Sequence, residues 1–122
     1  MIVDTGPLIS VDRKRRAGAL LLRAAVDTGK VLRTTEAIVA QVWRSPRQAN
    51  LAYVLGGVEV IANFGDGRRI GELLAASGSS DAIDAHLAVL ASRVNEPLLT
   101  ADVDDFEGLA HHLSIRVVRW QG

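Results

Sequence analysis

Apolar positions along this chain follow two rhythms. Short, uniformly apolar runs alternate with longer stretches in which apolar residues recur every three or four positions. Met1-Ile2-Val3 is the first short run and stops at Asp4. Gly6-Pro7 breaks it, and Pro7 suits the first turn of a helix. Residues 17–27 have helical composition, with Gly29 as a stop. Residues 31–33 are predicted as a short strand. Thr34 and Thr35 precede a helix predicted over 36–44, with Ile38 and Val42 on one stripe. After Ser45-Pro46 a further helix is predicted over 47–55, closed by Gly56-Gly57. Residues 58–62 are apolar and β-branched and read as a strand. A loop over 63–67, a helix over 68–76 and a capping loop, Gly78-Ser79-Ser80-Asp81, follow. The strongest helix lies over 82–94. Beyond Pro97, Leu98-Leu99-Thr100 is a strand, 104–113 a short helix and 115–119 a closing strand.

Strands separated by helices of ten residues or so imply crossover connections and a parallel sheet. The predicted fold is therefore α/β, a single three-layer α/β/α domain over residues 1–122 with a central, mainly parallel sheet. The 122 residues suffice for one core. With 48% hydrophobic and 23% charged residues, the chain reads as globular. It has no cysteine, which excludes disulfides and thiolate zinc sites. No stretch reaches the roughly 20 apolar residues of a membrane span, and the N-terminus lacks a signal-peptide pattern. The cytoplasm is the expected compartment.

Charge gives no general support for a nucleic-acid binder, since 14 basic residues balance 14 acidic ones. Its distribution is uneven, however. Arg13-Lys14-Arg15-Arg16 is a basic run, read either as a solvated helix start or as a phosphate-contacting patch. Residues 102–107 are acidic.

The acidic residues carry the candidate chemistry. Asp4 directly follows the first strand, and Asp102 follows the 98–100 strand by two residues. In open parallel sheets, ligand sites form beyond the carboxyl ends of the strands. If these two strands are neighbours, both carboxylates share a rim. Asp81 and Asp84 stand three apart at a helix start, and that helix leads towards Asp102. Converging carboxylates raise one another's pKa, and a hard divalent cation such as Mg²⁺ or Mn²⁺ relieves the repulsion. Such a cation polarises a phosphoryl oxygen and activates water. Each aspartate also has a structural reading. Asp4, Asp81 and Asp102 suit helix caps, and Asp104 and Asp105 suit a turn or cap. Asp84 lies among small and apolar residues, an enclosed setting where a carboxylate needs a partner. His86, His111 and His112 read as surface or packing residues. Trp43 and Tyr53 read as packed in or near the core.

Three segments together resemble a known family. Met1-Ile2-Val3-Asp4-Thr5, Asp81-Ala82-Ile83-Asp84-Ala85-His86 and Leu99-Thr100-Ala101-Asp102-Val103-Asp104-Asp105-Phe106 look like the PIN-domain nucleases, above all the VapC-type toxins of bacterial toxin–antitoxin pairs. The likeness spans essentially the whole chain, in order and spacing. It implies a Mg²⁺- or Mn²⁺-dependent endoribonuclease, a homodimer, and an antitoxin protein that occludes the site. Carried over by position, Asp4, Asp84 and Asp102 match acidic ligands, with Asp105 and Asp81 as further candidates. The chain departs from the pattern at the second acidic position, where Gln41 replaces a glutamate. Glutamine offers a neutral carbonyl oxygen and no charge. Glu36, five residues earlier, lies about 140° around a helix from it. Arg13, Lys14, Arg44 and Arg47 are the candidate contacts to an RNA backbone.

Two other classes compete. One is a module on the same fold that binds RNA or protein without turnover, as Gln41 suggests. The other is a receiver-like signalling domain, which needs an acceptor aspartate after a middle strand. Here Asn63-Phe64-Gly65 follows the 58–62 strand, with Asp66 further on. No Walker, dinucleotide or Gly-x-Ser-x-Gly motif is present.

Overall fold

The computed structural model describes residues 1–62, 65–79 and 81–121. Asn63 and Phe64 of the expected 63–67 loop, and Ser80 of the expected capping loop, lie outside them. Among the described residues the strands are β1 (Ile2–Val3), β2 (Leu32–Thr35), β3 (Val58–Ile61), β4 (Leu98–Thr100) and β5 (Val117–Arg119). The helices are α1 (Thr5–Arg13), α2 (Arg15–Thr28), α3 (Glu36–Val42), α4 (Ala49–Leu55), α5 (Gly67–Ser77), α6 (Ala82–Val94) and α7 (Val103–Ala110). The sheet is parallel throughout, in the order β3-β2-β1-β4-β5. Helices α1 to α4 pack with one another, as do α5 to α7, and α6 lies against β1 and β4. This is the expected three-layer α/β/α arrangement.

The order of strands matters most for a site. From β1 the chain steps to β2 and then β3 on one side, and returns to β4 on the other. The switch point therefore falls between β1 and β4, where a doubly wound sheet opens a crevice beyond its carboxyl ends. Ile2 pairs with Leu98 and Val3 with Leu99 in register. The Asp4 N–H then donates to the Leu99 carbonyl at 3.0 Å, extending the pairing one residue past β1.

Burial explains the local choices. Ile2, Val3, Leu98 and Leu99 are buried, as suits central parallel strands covered on both faces. Helix α6 buries seven consecutive residues, Ala85 to Ala91. A helix apolar on all sides belongs inside, and its alanines let it approach the sheet closely. Asp81 caps its start by accepting from the Ile83 and Asp84 N–H groups at 3.1 and 3.0 Å. Asn95 ends it in the left-handed conformation (φ 54°).

Several expected elements shift. Thr34 and Thr35 complete β2, and Thr35 also caps α3 by accepting from Ile38 N–H at 3.3 Å. Helix α3 stops at Val42, where Trp43 turns extended, so Arg44 lies beyond it. Helix α4 starts at Ala49 and not at Arg47. Helix α7 ends at Ala110, short of residue 113, and β5 begins two residues later than expected. Tyr53, expected near the core, is 77% exposed, whereas Trp43 packs against the core. His86 is buried, and His111 and His112 are exposed, edge to face at 5.4 Å. Strand β3 is an edge strand, and Asp66 pairs with Arg93, so the receiver-like arrangement of a central acceptor is absent from the described residues.

Candidate functional site

The aspartates gather at the β1/β4 switch point. Asp4 is 4% exposed and occupies the N-cap position of α1. Its side chain makes no cap hydrogen bond. Instead Oδ2 accepts from Thr100 Oγ1 at 2.7 Å. The Thr100 hydroxyl in turn accepts from Asp102 N–H at 3.0 Å. One fully buried threonine thus ties the end of β1 to the turn after β4. Asp102 also occupies an N-cap position, that of α7, with no side-chain cap bond. Neither Asp4 nor Asp102 is spent on capping, so both carboxylates are available to the crevice.

Gly6 makes this approach possible. A Cβ built at Gly6 would stand 2.5 Å from Ala101 Cβ and 3.3 Å from its backbone N. Any side chain there would push the start of α1 away from the β4–α7 turn, and Asp4 away from Asp102.

Asp84 enters from the facing layer, on the first turn of α6. It is partly buried. Burial, the charges of Asp81 and Asp4, a side-chain hydrogen bond with Asp81 and the charge of Asp105 together push its carboxyl up from 3.8 to about 7. Asp4 is raised as well. Burial is the main cause, hydrogen bonds from Thr100 and Thr5 oppose it, and the charges of Asp102 and Asp105 add to it. Asp4 thus lies within electrostatic reach of Asp84, Asp102 and Asp105, and Asp84 of Asp4, Asp81 and Asp105. Asp81 remains a cap as well as a neighbour, and Asp105 is exposed on the first turn of α7.

Among the described residues no salt bridge involves Asp4, Asp81, Asp84, Asp102 or Asp105. The opposite end of the sheet is different. Burial pushes the Glu96 carboxyl up there, but the Met1 ammonium and Arg33 outweigh it and hold the carboxyl below its usual range. Among the described residues, half-buried Glu96 has ion-pair partners, whereas buried Asp4 and half-buried Asp84 have none.

The donor set suits a hard divalent cation, because it is all oxygen, highly charged and partly dry. It is not drawn into a closed chelate. Among the described residues no group of three or more histidine, aspartate or glutamate side chains is arranged to hold a metal ion. A cation here would complete its shell with water, as Mg²⁺ commonly does.

The remaining candidates are less converged. Gln41 is exposed on α3, and its side chain makes no hydrogen bond among the described residues. Glu36 is exposed on the first turn of the same helix. Arg13, Lys14 and Arg47 are exposed around the α1–α2 corner and the loop before α4. Arg44 folds back, donating from Nη1 to the Ala40 and Trp43 carbonyls at 2.9 and 3.0 Å. It satisfies the end of α3 before it serves any ligand. Sequence reading missed Thr100 and Gly6, whose roles depend on a contact between segments almost a hundred residues apart. The one available signal for Thr100 was a hydroxyl at the end of an otherwise apolar strand.

Compared with protein-family models and with curated proteins, the chain matches none.

Proposed function

We propose that this chain is a divalent-cation-dependent endoribonuclease of the PIN type, acting in the cytoplasm as the toxin of a toxin–antitoxin pair. The observation that carries this reading is the carboxylate cluster at the β1/β4 switch point, which has no ion pair among the described residues, with the Asp84 carboxyl pushed up to about 7. The order of its acidic motifs supports it further. Among the described residues no helix is long and apolar enough to cross a membrane. The same family likeness implies a homodimer and a protein that covers the site.

Asp4, Asp84 and Asp102 are the residues that would hold Mg²⁺ or Mn²⁺, with Asp105 and Asp81 adding charge and water contacts. Bound there, the cation would polarise a phosphoryl oxygen and favour ionisation of the attacking water. Thr100 ties the Asp4 carboxylate to the Asp102 backbone, so the ends of the two strands keep a fixed spacing. With its carboxyl pushed up to about 7, Asp84 can hold a proton near neutral pH, and it would give that proton up if it held a cation. Arg13, Lys14 and Arg47 neutralise phosphates of the strand. Gln41, at the second acidic position of the family likeness, would offer a carbonyl oxygen in place of a charge.

A second reading rests on the exposed Gln41 and the open donor set. With one charge fewer, the same crevice binds RNA or a protein partner without cutting. Incubating RNA with the protein in Mn²⁺, beside Asp4→Asn, separates the two. Cleavage lost in the variant supports the nuclease, and intact RNA with retained binding supports the module.

A further inference from the structure

A cleft of about 360 Å³ opens between α2 and α4, away from the acidic crevice. Gly18, Leu22 and Val54 form its floor, and Arg15, Asn50 and Tyr53 stand at its rim. Gly18 leaves room for the two helices to meet, since a Cβ there would stand 3.1 Å from Val54 Cγ2. Tyr53 is the sole tyrosine of the chain, and 77% of it faces solvent. Among the described residues no ring stacks on this exposed phenol. Arg15 and Asn50 are exposed beside it. Arg15 belongs to the basic run Arg13-Lys14-Arg15-Arg16, all exposed at the α1–α2 corner, and none of the four enters a salt bridge among the described residues.

The arrangement is braced from below. Gln48, the residue before α4, accepts from the Arg44 and Ser45 N–H groups through Oε1. Through Nε2 it donates to the Val42 carbonyl at 3.0 Å and to Asp12 Oδ2 at 3.1 Å. Its carbonyl also accepts from Ala52 N–H at 2.9 Å. One amide thus fixes the start of α4 to the end of α1, which sets Asn50 and Tyr53 beside the basic corner.

We propose that this cleft is a nucleotide subsite for single-stranded RNA, with Tyr53 stacking on a base, Asn50 hydrogen-bonding to its edge and Arg15 contacting the adjoining phosphate. Aromatic faces interleaved with cations are the general means of holding single strands. The charge around the cleft favours a phosphate backbone over a protein partner. The subsite deepens the proposed nuclease reading and rests on it. Helix α1 runs nine residues from Asp4 to the corner, about 13 Å at 1.5 Å per residue. A strand of a few nucleotides covers the distance from Asp4 to the basic corner.

The test is fluorescence anisotropy of a short labelled single-stranded RNA with the full chain, in EDTA to stop turnover. Tyr53→Ala is expected to weaken binding about 5- to 150-fold, the range that one base–aromatic stack supplies. Tyr53→Phe, which keeps the ring, is expected to stay within about twofold of wild type. Arg15→Ala is expected to lower the salt slope of log K by about 1. An abasic strand is expected to bind wild type no better than RNA binds Tyr53→Ala. Unchanged binding by Tyr53→Ala overturns the subsite, as does equal loss in Tyr53→Phe. Loss of self-association in Tyr53→Ala with RNA binding intact also overturns it and makes the cleft a protein interface. Cleavage in Mn²⁺ is scored separately. Binding through Tyr53 without any cleavage keeps the subsite and defeats the nuclease reading, whereas cleavage with RNA binding indifferent to Tyr53 does the reverse.

Discussion

Replacing Asp84 with asparagine removes a charge that the fold suppresses while keeping the shape of the side chain. The carboxyl is raised from its ordinary 3.8 to about 7 by burial and by Asp81, Asp4 and Asp105. A tenfold change in proton affinity corresponds to ~1.4 kcal/mol, so a dry site would account for about 4 kcal/mol. Asp84 is only partly buried, and water screens much of this, which leaves about 1–2 kcal/mol. The sign follows from linkage. The folded state binds the proton more tightly than the unfolded chain, so the native state is favoured below the unfolded value near 4. That advantage is lost as pH rises through about 7. Asp84→Asn does not titrate. In EDTA the variant is expected to match wild type near pH 4 and to exceed it by about 1–2 kcal/mol at pH 8, a gain of about 4–10 °C in Tm. Urea unfolding of both proteins at the two pH values measures the difference, and charges common to both cancel. A gain that is equal at both pH values, or a loss at pH 8, would refute the account of Asp84 as a repelled carboxylate.

Other outcomes follow from the same geometry. Thr100→Val strips Asp4 and the Asp102 N–H of their shared partner in a buried place and is expected to cost about 1–3 kcal/mol in urea unfolding. Thr100→Ser keeps the hydroxyl and should recover most of it. Gly6→Ala sets a methyl against Ala101 and is expected to cost about 1–3 kcal/mol as α1 shifts, read as a lower urea midpoint at unchanged slope. Gln41→Glu adds the missing charge on α3. If that position faces the cation, calorimetry is expected to show Mn²⁺ binding tightened by about fivefold or more, since affinity of such sites rises with ligand charge. An unchanged affinity removes Gln41 from the site.

The fold was largely legible because its strongest signals are local. Residues 82–94 form α6 with the expected bounds, since Asp81 and Asn95 are strong start and stop residues around a continuous apolar stretch. The strand Leu98–Thr100 was fixed in the same way by Pro97 before it and the acidic turn after it. The full extent of α1 was harder to read, because glycine and proline at positions 6 and 7 are punctuation in most contexts. Here Pro7 sits in the first turn, where its missing N–H costs nothing. In the site, Asp4, Asp84 and Asp102 could be picked out as acids at the ends of apolar elements. Their relations could not. Whether Asp4 caps α1 or faces Thr100 depends on β1 lying beside β4, a long-range pairing that no window of sequence contains. Tyr53 was misjudged for a related reason, because its exposure depends on which face of α4 meets α2.

The central claim is that the carboxylates of the β1/β4 crevice hold a divalent cation for cutting RNA. The most direct test is the fate of an end-labelled single-stranded RNA incubated with wild type and with Asp4→Asn, purified in parallel, in Mn²⁺ and in EDTA. The expected result is discrete fragments from wild type in Mn²⁺ and from neither protein in EDTA, with Asp4→Asn inactive throughout. Intact RNA in every lane, or cleavage by Asp4→Asn equal to that of wild type, would contradict it.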